Sequence, residues 1–148
     1  MKKFLTILFV AFCSCTGVLV AQTDASSLVG VWQQHQLTTD ELGNPHLTPV
    51  SLWKVMTADG SFYTFLIASK DAVAVKTNEG TYKLVGDSVI EESVTASMTA
   101  PAIVGNVNTL YYEQPHPDVL HVSYRLPKAT RDAKEYWVRV KLGLSGVH

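Results

Sequence analysis

The sequence predicts an all-β protein: one domain folded as an antiparallel up-and-down barrel of about eight strands. Three observations carry that expectation. Short runs rich in Val, Thr, Tyr and Ser alternate with Gly-, Pro-, Asn- and Asp-containing turns along most of the chain. No window places apolar residues at the spacing of an amphipathic helix. Tight turns join most runs to the next, which favours a meander, and closing a meander removes its exposed edges.

The domain boundary comes from the N-terminus. Lys2 and Lys3 precede an uncharged apolar stretch over residues 4–20, and Leu19-Val20-Ala21 ends in a small residue. That order is the pattern of a secretory signal peptide. Residues 1–21 are therefore expected to be removed, leaving residues 22–148 as a single domain in the periplasm or outside the cell. A membrane anchor is the competing reading, but the stretch is short of the roughly 20 residues of a span and carries Ser14 and Thr16. Both cysteines, Cys13 and Cys15, fall inside the leader, so a cut after Ala21 leaves no thiol for a disulfide, nucleophile or metal site. Acylation at Cys15, giving an anchored lipoprotein, is the alternative; the apolar residues 16–21 stand where such proteins carry a polar linker.

Removing 21 residues from 148 leaves 127, enough to bury a core without staples. The leader holds two of the twelve Lys and Arg residues, so ten remain against thirteen Asp and Glu, a formal charge of −3. The cations are scattered, which argues against nucleic-acid binding. No second apolar run is long enough to span a membrane.

The strands follow in order. Residues 29–37 form the first, opening on Gly30-Val31-Trp32. Residues 38–49, with Asp40, Gly43, Asn44, Pro45 and Pro49, are expected to be a long loop. Residues 50–56 and 61–68 flank the turn Ala58-Asp59-Gly60. Residues 72–76 read as a weak strand or a short helix. Residues 80–85 and 89–96 form a hairpin around Gly86-Asp87, and 107–113 pairs with 119–126 around Pro115-His116-Pro117-Asp118. Residues 128–132 are a polar loop, and 135–142 the last strand.

Two strands show strict alternation, which gives one buried and one wet face. Leu120, Val122, Tyr124 and Leu126 alternate with His121, Ser123 and Arg125. Tyr136, Val138, Val140 and Leu142 alternate with Trp137, Arg139 and Lys141. The third strand is apolar on both faces, Tyr63, Phe65 and Ile67 against Phe62, Leu66 and Ala68, so its inward face stays open.

Gly30-Val31-Trp32 followed by a meander resembles the Gly-x-Trp opening of lipocalins and the wider calycin superfamily. Four further segments are similar to small exported lipocalin-like domains of unknown function of Bacteroidales type: Met56-Thr57-Ala58-Asp59-Gly60-Ser61-Phe62, Gly80-Thr81-Tyr82-Lys83-Leu84, Gly86-Asp87-Ser88-Val89-Ile90-Glu91-Glu92 and Tyr136-Trp137-Val138-Arg139-Val140. The resemblance implies a closed barrel with Gly30, Trp32 and Arg139 as structural closure, Arg139 capping the Trp32 indole. Because Arg139 alternates with the Tyr136, Val138 and Val140 row, that pairing requires the barrel end or the outer surface. The chain departs from full-length lipocalins in lacking a C-terminal helix pattern and a disulfide.

Candidate chemistry is sparse. His35, His46, His116, His121 and His148 show no metal-ligand spacing; His35 and His121 lie on strands where they can meet, or simply face solvent. Glu91 and Glu92 are adjacent and so point to opposite faces, not into one cleft; one of them, or Asp87, can still line a barrel mouth. There is no Gly-x-Ser-x-Gly nucleophile motif, Ser145 between glycines lies in the tail, and no phosphate loop occurs. No catalytic residue, metal or cofactor is expected.

Aromatic residues are the strongest functional signal. Trp53, Tyr63, Phe65, Tyr82, Tyr111 and Tyr124 are expected in the barrel interior, where they either fill the core or line a cavity for a small, partly hydrophobic or amphipathic ligand; Tyr112 belongs to the same set. Non-catalytic ligand binding, helped by the loop at residues 38–49, is the leading expectation. The alternative is an envelope interaction module with a filled barrel and a protein or glycan partner. An enzyme of calycin type comes third.

Overall fold

In the computed structural model, residues 27–68 and 73–143 are described. The expected leader, with Cys13 and Cys15, lies outside the described residues, as do Ser145 and His148.

Eight antiparallel strands close into a barrel in chain order: β1 Gly30–Thr39, β2 Pro45–Met56, β3 Ser61–Ala68, β4 Val73–Val85, β5 Val89–Ser97, β6 Val107–His116, β7 Val119–Tyr124 and β8 Ala133–Arg139. Closure is made by β1 against β8, with Trp32 opposite Arg139 and His35 opposite Tyr136. A single turn of 3₁₀ helix, Pro101–Ile103, lies between β5 and β6.

Two local expectations change. The segment at residues 38–49 is not a long loop: β1 runs to Thr39 and β2 begins at Pro45, with Leu37, Thr38 and Thr39 opposite Leu47, His46 and Pro45. Asp40 makes the reversal tight, its Oδ1 accepting from the Leu42 and Asn44 amides at 2.9 and 2.8 Å, while Gly43 takes a φ of 83°. Pro45 and Pro49 are tolerated because β2 pairs there with β1 alone; its ladder with β3 starts only at Leu52. Of the weak segment at 72–76, the described residues 73–76 are strand, not a separate element but the first part of β4, which continues through a bulge opposite Thr64 and Phe65. Thr77 occupies that bulge, buried, its hydroxyl donating to the Thr64 carbonyl at 3.2 Å.

The interior rows follow from register. Trp32 on β1 sits opposite Lys54, and Met56, Phe62, Thr64, Tyr82, Ile90, Glu92, Val94, Leu110, Tyr112, Leu120, Val122 and Trp137 are the other buried residues of these rows. On β7 the Leu120, Val122 and Tyr124 row points inward, as the alternation predicts. On β8 the rows are reversed relative to the simple hydrophobic reading. Trp137 is 3% exposed and shares the inward row with Glu135 and Arg139, while Tyr136 and Val138 face outward. On β3 the inward row is Phe62 and Thr64.

The two ends differ. The turns after β2, β4 and β6 are short and lie at one end, with Trp32, Phe62, Tyr82 and Ile90 stacked beneath them. The connections after β5 and β7 span residues 98–106 and 125–132 at the other end, and the β1–β2 turn joins them there. Filling stops partway along the axis toward that second end.

Candidate functional site

The closed end is sealed by one cation. The Arg139 guanidinium carbon lies 4.2 Å from the centroid of the Trp32 ring. Its Nη1 donates to the Val29 carbonyl at 2.6 Å, its Nη2 to the Ser27 carbonyl and its Nε to the Pro117 carbonyl at 3.3 Å. Asp118 stands 3.5 Å away on the other side. Trp32 is fully buried and donates its indole N–H to the Leu28 carbonyl at 2.9 Å. Gly30 is required beside this stack: its φ is +148°, and a Cβ there would collide with the Arg139 guanidinium.

At the other end the barrel holds an open chamber of about 300 Å³. Leu52, Phe62, Val94, Leu110 and Trp137 form apolar walls, and Ile103 and Leu126 come in from the two longer connections. Its floor is polar. Lys54 on β2 forms an ion pair with Glu92 on β5, and the two side chains are only 13% and 10% exposed. The Lys54 ammonium also lies 4.9 Å from the Phe62 ring centroid and 5.7 Å from that of Trp137, where cation–π attraction offsets part of its desolvation. Glu135 on β8 accepts from the Tyr124 hydroxyl at 2.7 Å and from the Trp137 indole N–H at 2.9 Å. Trp137 thus turns its face to the lysine and its edge to the carboxylate.

Tyr124 is held protonated. Burial pushes its phenol well above the ordinary range, and the negative charge of Glu135, the hydrogen bond to it and the charge of Glu92 act in the same direction. It is a fixed donor at neutral pH. Tyr82 is also raised, by burial first and by Asp59 second, and its hydroxyl donates to the Thr57 carbonyl at 3.0 Å, which fastens the β2–β3 turn.

The six aromatic residues expected inside separate by parity. Tyr82 and Tyr124 point inward: Tyr82 packs in the filled half and Tyr124 lines the chamber. The other four are corrected. Trp53 pairs with Gln33 and Phe65, and Tyr63 with Val55, all on the outward row, because Lys54, Phe62 and Thr64 take the inward positions between them. Tyr111 is 59% exposed, since its neighbours Leu110 and Tyr112 hold the inward row of β6. His35 and His121 both face out, on strands flanking β8, with Tyr136 between them; the His121 and Tyr136 rings meet edge-on at 4.8 Å. Glu91 and Glu92 take opposite faces, Glu91 pairing outside with Lys83 at 2.8 Å. Lys54, Glu135 and Trp137 were missed by sequence reasoning. The available signal was the row Glu135-Trp137-Arg139, in which a large indole alternates with charged residues.

Among the described residues, no group of three or more His, Cys, Asp or Glu side chains is placed to hold a metal ion, and no helix is long and apolar enough to cross a membrane.

A closed eight-stranded antiparallel barrel, plugged at one end and open at the other, is lipocalin-like in build. The sequence matches, over residues 27–144, the family described as a domain of unknown function, DUF4488, and the chain belongs to that family. No curated protein matches it.

Proposed function

We propose that this is an exported, calycin-related binding protein that holds a small, partly hydrophobic molecule in the open half of its barrel and does no chemistry on it. The chamber carries the reading: about 300 Å³ between apolar walls and a fixed set of polar groups, in a barrel whose other half is filled. That is the small end of the range for ligand sites. The stack of Arg139 on Trp32 beside Gly30 supports kinship with the calycins and their small exported members of Bacteroidales type. Export rests on the leader pattern of residues 1–21, with attachment through Cys15 as the alternative route.

The test is native mass spectrometry of the protein purified gently from its own host, compared with the mass after denaturation. A small adduct lost on unfolding supports binding and gives the ligand's mass. A bare mass in several preparations, together with no uptake of small amphipathic probes, would sink the reading. The same spectra separate a chain beginning at Gln22 from one beginning at an acylated Cys15.

The outer face of β2 and β3 supports a second reading, contact with an envelope protein. Trp53 lies opposite Phe65 and Val55 opposite Tyr63, all half-buried on the outside. If these rings only brace neighbouring strands, a Trp53→Ser, Phe65→Ser double variant loses stability but keeps every cross-linked partner seen with wild type.

A further inference from the structure

Given a binding chamber, its charge identifies the class of ligand. The charged side chains facing it are Lys54 from β2, Glu92 from β5, Glu135 from β8 and, at the mouth, Arg125. Arg125 is held by Asp132 at 2.7 Å. Lys54 is held by Glu92. Glu135 forms no ion pair among the described residues; its two oxygens take neutral donors, the Tyr124 hydroxyl and the Trp137 N–H. Neutral donors fix a carboxylate but leave its formal charge in place, and each oxygen keeps a second acceptor position. The inner chamber therefore carries one negative charge more than its own cations cancel.

A second observation concerns the mouth. Apolar side chains that are 38–47% exposed stand at this end: Leu66 and Val75 opposite one another on the inward rows of β3 and β4, and Leu126 after β7, which lines the chamber itself. A charged floor beneath an apolar exit matches an amphipathic molecule bound head first. An anionic head would meet Glu135 and compete with Glu92 for Lys54. An uncharged head would leave Glu135 uncompensated. A cationic head completes the set.

We propose that the chamber selects small amphipathic cations, binding an alkylammonium head against Glu135 while the tail leaves past Leu52 and Leu126.

Three probes of equal chain length test this by isothermal titration of the purified protein at neutral pH: n-octylammonium, 1-octanol and octanoate. The expected result is binding of octylammonium about tenfold or more tighter than either other probe. Glu135→Gln should bring octylammonium to the level of octanol. Binding of all three without preference, or best binding of octanoate, would overturn the cation assignment while leaving a binding chamber in place. Silence of all three would overturn the chamber as a binding site, and this inference with it. The wild-type ranking decides the matter even where Glu135→Gln does not fold.

Discussion

The two halves of the barrel interior both bury charge, and they neutralise it differently. At the closed end Arg139 donates to the carbonyls of Ser27, Val29 and Pro117, which lie at strand ends or outside strands, with the part-exposed Asp118 carboxylate 3.5 Å from its Nε. Around it Trp32, Phe62 and Ile90 fill the axis. Beneath the open half Lys54 lies near the end of β2, where both ladders are formed, opposite Trp32 on one and Thr64 on the other. Backbone groups there are already committed to the sheet. Lys54 must find a side-chain partner, and Glu92 supplies it. A charge at a strand end can draw on loose carbonyls besides a carboxylate, whereas a charge flanked by two formed ladders depends on a side-chain partner and leaves polar groups facing free space. The first arrangement seals a barrel; the second furnishes a chamber.

Two substitutions of large effect test that contrast. Trp32→Ala should cost about 3–5 kcal/mol, because a fully buried indole is removed and Arg139 loses the face it stacks on. Urea denaturation followed by circular dichroism reads it, and a loss below about 1 kcal/mol would mean that the closed half is not the stabilising core. In the open half, Lys54→Met should cost about 3 kcal/mol by leaving Glu92 buried without a cation. Adding Glu92→Leu to Lys54→Met should restore most of that loss, since the penalty lies in the unpaired charge and not in the missing bridge. A double variant no more stable than the single would point to packing by the Lys54 stem over Phe62 and Trp137 as the larger contribution.

The same contrast explains what could be read in the sequence. Turn chemistry was legible: Asp59-Gly60 and Gly86-Asp87 mark their hairpins, and β3 and β5 fall close to where residues 61–68 and 89–96 place them. The inward row of β7 was legible because its polar residues are all outside. Facing failed on β8 and toward the end of β2, and for one reason. Alternation assigns charged residues to solvent, but Lys54, Glu92, Glu135 and Arg139 all point inward, each with a partner on another element or connection. Nothing local to Glu135 announces Tyr124, and nothing local to Lys54 announces Glu92. The aromatic candidates failed with them: Trp53, Tyr63 and Phe65 are as apolar as a core row, and only the register against β1 puts them outside. The β1–β2 hairpin failed because two prolines and a glycine read as a loop, although a strand paired on one side accepts them.

A smaller effect is expected at Gly30, which sharpens the account of the closed end. Gly30→Ala must adopt a φ of +148° and push the Arg139 guanidinium off its carbonyls. A cost of about 1–3 kcal/mol follows. Because the collision is with a side chain, Gly30→Ala combined with Arg139→Ala should lose less than the sum of the two single changes. Strict additivity would show that backbone conformation alone fixes the glycine, and that the arginine stack is independent of it.

The smallest effect belongs to the open end and appears only in alkali. Tyr124 has its folded-state pKa raised above the ordinary 10.0 by burial, by Glu135 and by Glu92. The folded protein therefore keeps a proton that the unfolded chain releases once the pH exceeds about 10. Stability tied to this group is fully present below that pH and is lost as the pH rises further. Tyr82 is shifted in the same direction and adds to the fall. The urea midpoint of the wild-type protein should thus decline above about pH 10, and Tyr124→Phe should decline less steeply while starting about 1 kcal/mol lower at neutral pH, where Glu135 has lost a donor. Equal slopes in the two proteins would mean that the Tyr124 proton is not locked to Glu135. The polar floor of the chamber would then be looser than its hydrogen bonds indicate, and the closed end alone would be rigidly built.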